Sequence, residues 1–421
     1  MTDHRPSSAE PPETDDDLRI EAPQKKAAGL ASVRSSFAHM HLHGHGLPSA
    51  MRILGQMNQV DGFDCPGCAW PDPDDRAALT EFCENGAKAA AWETTRRRLD
   101  GKFFERHSID ELADRSDYWL GLQGRLTEPL LLRPGSRFYE PISWEEAFKR
   151  VAEGLKALDS PDEAVFYTSG RTSNEAAFLY QLFVRAFGTN NLPDCSNMCH
   201  ESSGVGLGET VGIGKGSVTL DDIHQADTII VMGQNPGTNH PRMLTALQKA
   251  KKNGAQIIAV NPLPEAGLMG FVNPKSPAQV LRGGTQIADL FLQVQINGDV
   301  ALLKALMCLL VEAESERPGE VLDQDFIGLY TEGFEELRAH LEAQDVDALV
   351  EAAGVTRAEL EQAVAIILRS RKTIVCWAMG LTQHRNGVGN VREIVNFLLM
   401  RGSLGMPGAG TCPVRGHSNV Q

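Results

Sequence analysis

Short apolar runs alternate with longer amphipathic segments along the second half of the chain. The runs favour buried strands, and the segments between them repeat apolar residues at the spacing that is typical of helices. The predicted strands are residues 227–232, 256–260, 290–296 and 373–377, and the predicted helices are residues 243–252, 301–313 and 388–400. Such an alternation predicts parallel strands that are covered by helices.

Nearer the N-terminus, two Ser/Thr-x-x-Glu sequences predict the starts of two further helices. The first is Ser143-Trp144-Glu145-Glu146 and the second is Thr172-Ser173-Asn174-Glu175. Gly188 is expected to end the second helix. The apolar run at residues 164–168 lies between the two helices and is predicted to be a strand.

Turn-forming segments follow several of these strands. In an open α/β sheet, ligands bind beyond the carboxyl ends of the strands. The segments that reach this edge are residues 169–171, 233–239, 261–267 and 379–383. We therefore expect them to line one shared crevice.

Composition narrows the class of protein. The chain of 421 residues has a net charge of −15 and 42% hydrophobic residues. This charge disfavours binding to nucleic acid or anionic membranes, because the long-range field repels phosphate. No apolar run is long enough to span a bilayer, and the first residues show neither a signal-peptide core nor a twin-arginine pair. We therefore expect a cytoplasmic protein of two or three domains.

The first 50 residues are predicted to form a disordered or extended tail. Residues 1–28 are rich in Pro, Ser, Asp and Glu, and they carry few apolar side chains to offset the entropy of ordering. His41, His43 and His45 follow and are candidate metal ligands, although a mobile loop is the more frequent context for such a run.

Residues 62–119 are dense in Cys, Pro, Gly and Trp, a composition that suits a small domain folded about a cofactor. Cys65-Pro66-Gly67-Cys68 places two thiolates on one tight turn, and Cys83 offers a third. Both a structural zinc and an iron–sulfur cluster are compatible with this turn. Asp72 is a candidate for the fourth ligand, and a solvent-facing acidic residue is an equally good interpretation. The eight cysteines are too few for a disulfide scaffold in a chain of this length.

The stretch from Asp194 to Ser203 places the sulfur of Cys199 directly before the imidazole of His200, among small polar residues. These two side chains suit nucleophilic catalysis or metal ligation. A lone cysteine is more often a small apolar residue of a core, so the surrounding motifs have to decide between the interpretations.

Several motifs together resemble the formate-dehydrogenase-like branch of the molybdopterin oxidoreductases. They lie at residues 61–71, 81–88, 169–175, 188–191, 199–200 and 407–421. The likeness extends from Asn58 to Gln421. It implies a molybdenum centre bound by two molybdopterin guanine dinucleotides (Mo-bis-MGD) and one nearby [4Fe–4S] cluster.

The resemblance also implies an α/β fold with an N-terminal iron–sulfur subdomain, followed by doubly wound parallel-sheet (Rossmann-like) molybdopterin-binding domains and a C-terminal part that is missing from this sequence. The expected domains are residues 51–118 for the iron–sulfur subdomain, 119–194 for the first part of one α/β domain, 195–415 for a second α/β domain of the dinucleotide-binding type, and 416–421 for the return to the first.

The same resemblance assigns site residues. Cys199 is the implied molybdenum ligand, His200 accepts or relays a proton, and Arg415 binds the carboxylate of the substrate. The implied iron–sulfur ligands are Cys65, Cys68, Cys83 and Asp72. The implied cofactor-binding residues are Lys88, Gly170, Arg171, Gly233, Asn235, Pro236, Asn239, His240, Asn261, Gly380, Thr382, Gln383 and His417.

This sequence departs from the family pattern at four positions. Asp72 stands where the family has a third cysteine, and Cys83 follows sooner than the last cysteine usually does. His417 replaces a Gln that formate dehydrogenases carry after the arginine, and Asn261 replaces an Asp of a dinucleotide loop. These differences concern the ligands of the cluster, the substrate and a guanine contact.

The expected reaction is the two-electron oxidation of a small anionic substrate, with formate as the first choice. Electrons would leave through the cluster to an acceptor such as a redox partner subunit. The alternatives are a molybdoenzyme for another substrate, such as a reductase, and a non-catalytic cluster-binding protein that acts as a redox sensor or scaffold.

Overall fold

The computed structural model describes residues 13–17, 24–68, 70–73, 80–193 and 195–416. Its N-terminal part is a helical unit with a small apolar core that includes Met40, Leu54 and Met57. The elements of this unit are a 3₁₀ turn (Asp15–Asp17), β1 (Ala27–Ala28), α1 (Gly29–Leu42), α2 (Leu47–Gln56) and α3 (Glu84–Glu93).

Residues 24–50 differ from the tail that the sequence predicts, because they fold into α1 and the start of α2. His39 Nε2 lies 2.9 Å from the Tyr118 hydroxyl, and His43 Nδ1 lies 3.1 Å from Thr95 Oγ1. Both histidines are buried. Their partners stand more than fifty positions away along the chain, so the composition of the segment could not indicate that it is ordered.

Short elements connect this unit to the rest of the chain. They are β2 (Arg98–Leu99), α4 (Gly101–Phe104), α5 (Ile109–Ala113), α6 (Asp117–Leu122), β3 (Arg125–Leu126), β4 (Leu130–Leu131) and β5 (Glu140–Pro141). β2 pairs with β3 in parallel, and β4 pairs with β5 in antiparallel fashion. The backbone pairs therefore hold this stretch together with little regular structure.

The two helices predicted from capping sequences are present. They are α7 (Trp144–Lys156) and α8 (Asn174–Phe187). Ser143 caps α7 as expected, whereas Ser173 rather than Thr172 caps α8. Gly188 ends α8 in the left-handed region at a φ of 115°. The second helix thus begins one residue later than its sequence suggests.

The run at residues 164–168 is not one of the strands in the described part of the chain. Its Phe166 N–H donates to the carbonyl of Asn191, and the Asn191 side chain in turn binds the carbonyl of Ala164. The predicted strand is therefore not formed, and the run is held by its hydrogen bonds to the loop at Asn191. Apolar side chains of the flanking helices, among them Trp144, Phe148, Phe178 and Leu182, are exposed in the described structure.

A five-stranded parallel sheet is the centre of the remaining chain. Its strands are β6 (Thr228–Met232), β7 (Gln256–Val260), β9 (Leu290–Leu292), β10 (Thr373–Trp377) and β11 (Gly410–Pro413), while β8 (Phe271–Val272) lies apart and pairs with β1. The spatial order is β11-β10-β6-β7-β9, and every neighbouring pair is parallel. The predicted parallel sheet is confirmed, with β9 shorter than residues 290–296.

Helices cover both faces of the sheet. Successive strand residues point to opposite sides, so alternate residues of one strand pack into different cores. Ile230 and Trp377 belong to one core with the largest helix, whereas Ile229 and Cys376 belong to the other core. The helices are α9 (Cys195–Cys199), α10 (Glu201–Val211), α11 (Leu220–Gln225), α12 (Pro236–Asn239), α13 (Pro241–Lys252), α14 (Ala266–Met269), α15 (Pro277–Arg282), α16 (Asp299–Glu316), α17 (Gln324–Tyr330), α18 (Phe334–Glu342), α19 (Val346–Ala353), α20 (Arg357–Arg369), α21 (Met379–Thr382) and α22 (Gly387–Met400). This is the doubly wound arrangement that the alternation predicts.

The order of the strands reverses between β6 and β10. From β6 the chain proceeds through β7 to β9 on one side, and β10 and β11 lie on the other side. Ligands of doubly wound sheets bind at such a switch point, since the loops diverge there and leave a crevice. None of the described helices is long and apolar enough to cross a membrane.

We expect acid to destabilise this fold through His43. Burial lowers the pKa of His43 to about 4, below the value near 6.5 of an unfolded histidine. The unfolded chain therefore binds the proton more tightly, so stability is fully present above pH 6.5 and is lost as the pH falls towards 4. His43→Asn should reduce this loss by up to about 2 kcal/mol between pH 7.5 and pH 5, because pH 5 lies about 1.5 units below the pKa of an unfolded histidine, and urea unfolding at the two pH values measures it.

His41→Asn is the matched control, because His41 lies two residues earlier, in the last turn of α1, and is exposed. It should leave the pH dependence of unfolding as it is in the unmodified protein. An identical acid response in the His43→Asn variant would contradict the assignment.

Candidate functional site

The loops after β6 and β10 touch at the switch point. Gly380 N–H donates to the carbonyl of Gly233 over 3.0 Å. A methyl group on Gly380 would lie 2.5 Å from that oxygen, and Gly233 itself has a φ of 55°. Both positions therefore require glycine, and the loops form a narrow floor with backbone atoms exposed to a ligand.

A cavity of about 520 Å³ opens above this floor. Three parts of the chain meet on its wall: the cysteines of the N-terminal unit, Cys199 with His200, and the loop from Gly233 to His240. The predicted site residues on the wall are Cys65, Cys68, Cys83, Lys88, Arg171, Cys199, His200, Gly233, Asn235, Asn239, His240 and Gly380. The structure thus brings together residues that are spread over most of the sequence.

Other predicted residues lie around the cavity and support its wall. Thr382 Oγ1 donates to the Cys199 carbonyl over 2.7 Å, and Gln383 Nε2 donates to the Met198 carbonyl over 2.8 Å. Gly170 N–H donates to Cys195 Sγ over 3.1 Å. Pro236 is the first residue of α12, and the Asn261 side chain is turned back onto the Leu263 carbonyl. His417 lies outside the described residues.

The three cysteines of the N-terminal unit converge on the first turn of α3. A methyl group on Gly86 would lie 2.9 Å from Cys65 Sγ and 3.7 Å from Cys83 Sγ. Backbone N–H groups of Gly67 and Gly86 each lie 3.3 Å from a sulfur, those of Cys65 and Cys83 respectively. Gly86 therefore leaves room between the sulfurs that a larger residue would fill.

Burial raises the pKa of all three thiols, that of Cys83 to about 12. Hydrogen bonds from the backbone and the charge of Arg242 oppose this effect. No group of three or more Cys, His, Asp or Glu among the described residues is arranged to bind a single metal ion, and this includes the histidines of α1.

Lys88 and Arg171 bring positive charge to the cavity. Lys88 pairs with Glu84 over 2.9 Å, one turn earlier on α3. Arg171 pairs with Glu93 over 3.6 Å and lies over the ring of Trp92. Both side chains are held by α3, so the N-terminal unit and the loop after residues 164–168 present their charges to the same space.

His200 is fixed by hydrogen bonds on both ring nitrogens. Its Nε2 lies 3.0 Å from the Val414 carbonyl, which accepts only, so Nε2 carries the hydrogen. Its Nδ1 lies 3.0 Å from the hydroxyl of Ser203, and that hydroxyl accepts from Trp377 Nε1 over 2.9 Å. Burial and then the charge of Arg415 lower the pKa of His200 to about 4. His200 is therefore neutral near pH 7, and a proton relay requires one of these bonds to break.

Arg415 follows β11, and it is not among the residues that line the cavity, although its neighbours Val414 and Gly416 are. Its Nη2 donates to the Gly214 carbonyl over 2.9 Å, and its own carbonyl accepts from His240 Nε2 over 2.7 Å. Burial lowers the pKa of Arg415, and the charge of Cys199 opposes this effect. The guanidinium and the sulfur are thus electrostatic neighbours.

Two buried acceptors on the cavity wall have no hydrogen-bond partner within the described structure. They are Gln234 Oε1 and His240 Nδ1. His240 donates through Nε2 to Arg415, so its Nδ1 presents a lone pair, and Gln234 donates through Nε2 to Met243 Sδ. Because an unpaired buried acceptor is unfavourable, the cavity suits a ligand with N–H or O–H donors.

Sequence reasoning missed four residues of this site. Gln234 lies inside the predicted loop at residues 233–239 but was not named as a site residue, Arg242 follows that loop, and Ser203 and Trp377 orient His200. Gln234 and Arg242 could have been included on position alone. Ser203 and Trp377 could not, since no spacing links them to each other.

Comparisons with known proteins agree with this architecture. A family model described as molybdopterin oxidoreductase matches residues 125–419. An uncharacterized oxidoreductase of Mycobacterium tuberculosis (strain ATCC 25618 / H37Rv) is 54% identical over 401 residues, which cover 95% of this chain and 51% of the relative. Formate dehydrogenase H of Escherichia coli (strain K12) is 33% identical over 305 residues, which cover 71% of this chain and 39% of the relative.

The fold is also found in a solved structure. Acetylene hydratase from Pelobacter acetylenicus matches with a TM-score of 0.54 at 20% identity, over 67% of this chain and 36% of that chain. This likeness concerns the fold alone. The chain spans about half the length of the curated relatives it matches.

The contact between the two glycine loops gives a test of the site. Gly380→Ala should destabilise the protein by about 1–3 kcal/mol, because the added methyl group meets backbone that cannot move away. Gly389→Ala is the control, since its methyl group would meet nothing within 4 Å in helix α22, where alanine is favoured over glycine. In thermal unfolding, Gly380→Ala should have a lower Tm than the unmodified protein, and Gly389→Ala should not. Equal Tm values for the two variants would contradict the tight contact.

Proposed function

Because this chain belongs to the molybdopterin oxidoreductase family, we propose that it removes two electrons from a small anionic substrate, with formate as the first choice. The observation that carries the proposal is the shared cavity, whose wall holds Cys199, the three cysteines of the N-terminal unit and the loop from Gly233 to His240. A metal ligand, an electron exit and a cofactor cradle are thus assigned to one space.

The residues present fit a bis-(molybdopterin guanine dinucleotide) cofactor. Pterin and guanine edges carry amino and ring N–H donors, which the unpaired Gln234 Oε1 and His240 Nδ1 would accept. The floor of Gly233 and Gly380 lets a large ligand approach the backbone closely. Arg171 and Lys88 supply positive charge for its pyrophosphates.

In this proposal the chemistry is divided among residues of the chain. The molybdenum centre, when bound, supplies two-electron redox chemistry. Cys199 is its thiolate ligand, and Thr382 fixes the backbone of Cys199. Arg415 binds the substrate anion through in-plane N–H donors of its guanidinium that the bond to Gly214 leaves available. Neutral His200 donates to the Val414 carbonyl and so fixes the backbone next to Arg415.

The cysteines of the N-terminal unit are proposed to bind an iron–sulfur cluster that receives the electrons. Cys65, Cys68 and Cys83 line the same cavity as Cys199, and Lys88 stands on α3 beside them. Short distances between redox centres favour rapid transfer, and a redox partner subunit is the proposed acceptor. The closer relatives include oxidoreductases whose names state no substrate, so formate rests on the more distant likeness.

The content of the intact protein tests the cofactor assignment. Anaerobically purified protein should contain molybdenum, iron and acid-labile sulfide, and it should release a pterin on denaturation. The reason is that the cavity wall carries cysteines that can bind a cluster and polar groups that can bind the pterin cofactor. Elemental analysis that finds zinc alone would refute the proposal and would favour a structural metal site.

The substrate role of Arg415 gives a kinetic prediction. Arg415→Ala should lower kcat/KM for formate-dependent viologen reduction by about 100-fold, the usual consequence of losing a charge-assisted, two-pronged carboxylate contact. Arg415→Lys should recover only part of this, because an ammonium is a point charge. Cys199→Ala should abolish turnover and reduce the molybdenum content.

Arg385→Ala is the control, as Arg385 is an exposed arginine of the loop that follows α21. It should leave turnover unchanged. Full activity in the Arg415→Ala variant would exclude the assigned contact, and full activity in the Cys199→Ala variant would exclude ligation by that sulfur.

A further inference from the structure

One arginine joins the sheet domain to the segments that carry the cluster cysteines. Arg242 stands in the first turn of α13, directly after the cofactor loop. Its guanidinium donates to the carbonyls of Trp70 and Pro71 over 3.4 Å each. It also pairs with Asp72 over 2.6 Å and with Glu81 over 3.8 Å. The side chain is 12% exposed, so these contacts form in a largely dry environment.

The two carboxylates that pair with Arg242 lie close in sequence to two of the cluster cysteines. Asp72 follows Cys68 by four residues, and Glu81 precedes Cys83 by two. One guanidinium therefore contacts both flanks of the ligand segment. Lys275 binds Glu81 as well, over 3.1 Å, so two cations face two carboxylates and the charges balance.

We propose that Asp72 is the ion-pair partner of Arg242 and not an iron ligand, and that Arg242 is the positioning residue that holds Cys68 and Cys83 in register for the cluster. This inference rests on the proposed function, since it concerns how the proposed cluster is held. It replaces the expectation, based on spacing alone, that Asp72 substitutes for the third cysteine of the family.

The physical reason is competition for one carboxylate. If Asp72 turned to iron, the buried guanidinium would lose its closest anionic partner. It would keep the two backbone carbonyls and the more distant carboxylate of Glu81, which already binds Lys275. Removing the close partner of a buried charge is strongly unfavourable. Arg242 also lines the cavity with the three cysteines, where its positive charge would oppose the negative charge of a cluster.

The test compares variants of the full chain, purified anaerobically. Asp72→Asn keeps an oxygen that accepts from the guanidinium but removes the anionic ligand. It should retain the iron and sulfide content of the unmodified protein and the g values of its reduced-state EPR spectrum. Residue 242 does not contact iron in this proposal. The Arg242→Gln variant should nevertheless lose iron to a chelator about 10-fold faster than the unmodified protein, as is usual when a group that orients metal ligands is removed. Arg242→Lys should show an intermediate rate.

Two controls separate this role from general destabilisation. Lys251→Gln breaks another ion pair of the same helix, with Asp289 at 2.7 Å, and it should release iron at the normal rate. Cys83→Ser should lose the cluster. Far-UV circular dichroism and Tm report folding for every variant.

The possible failures are distinguishable. A changed EPR spectrum or the loss of about one iron in Asp72→Asn, with molybdenum content unchanged, would show that Asp72 is a ligand, and it would overturn this inference while the proposed function stands. Iron release in Arg242→Gln that equals the release in Lys251→Gln would overturn the positioning role. An unmodified protein without iron and sulfide would refute the proposed cluster and this inference with it.

Discussion

The reversal of strand order between β6 and β10 is the constraint on which the rest of the site depends. Parallel strands deliver their following loops to one edge of the sheet, and the reversal sends neighbouring loops in opposite directions. The bond from Gly380 N–H to the Gly233 carbonyl closes the floor between them. Both glycines are packed so closely against the facing loop that neither position has room for a side chain, and the cavity opens beside this contact.

Everything else in the site is brought to that floor by contacts over long distances in sequence. His200 and His240 bind the carbonyls of Val414 and Arg415, the two residues that follow β11. Thr382 and Gln383 bind the backbone of Cys199 and Met198 from the loop after β10. The same segments that form the floor therefore also set the distance between Cys199 and Arg415.

Electrostatics within the cavity are consistent with a large charged ligand. Burial raises the pKa of the cysteine thiols and lowers the pKa of His200, so that in the absence of other charges these groups favour their neutral forms. Arg242, Arg171 and Lys88 line the cavity and are each paired with a carboxylate, whereas Arg415 interacts electrostatically with Cys199. A site of this kind favours thiolates and bound anions once metal and phosphate groups are present.

The sequence by itself determined the parallel sheet, the loops at its carboxyl edge, the family, and the residue types gathered at the cavity. Periodicity and turn residues act over a few positions, so they identify strands such as β6, β7 and β10 reliably. Only the tertiary structure decided that residues 24–50 fold onto α3, that residues 164–168 pair with a loop, and that both nitrogens of His200 are engaged. It also paired Asp72 with Arg242, 170 positions away. The physical reason is that a side chain's partner depends on which distant segments pack beside it, and spacing along the chain carries no record of that packing.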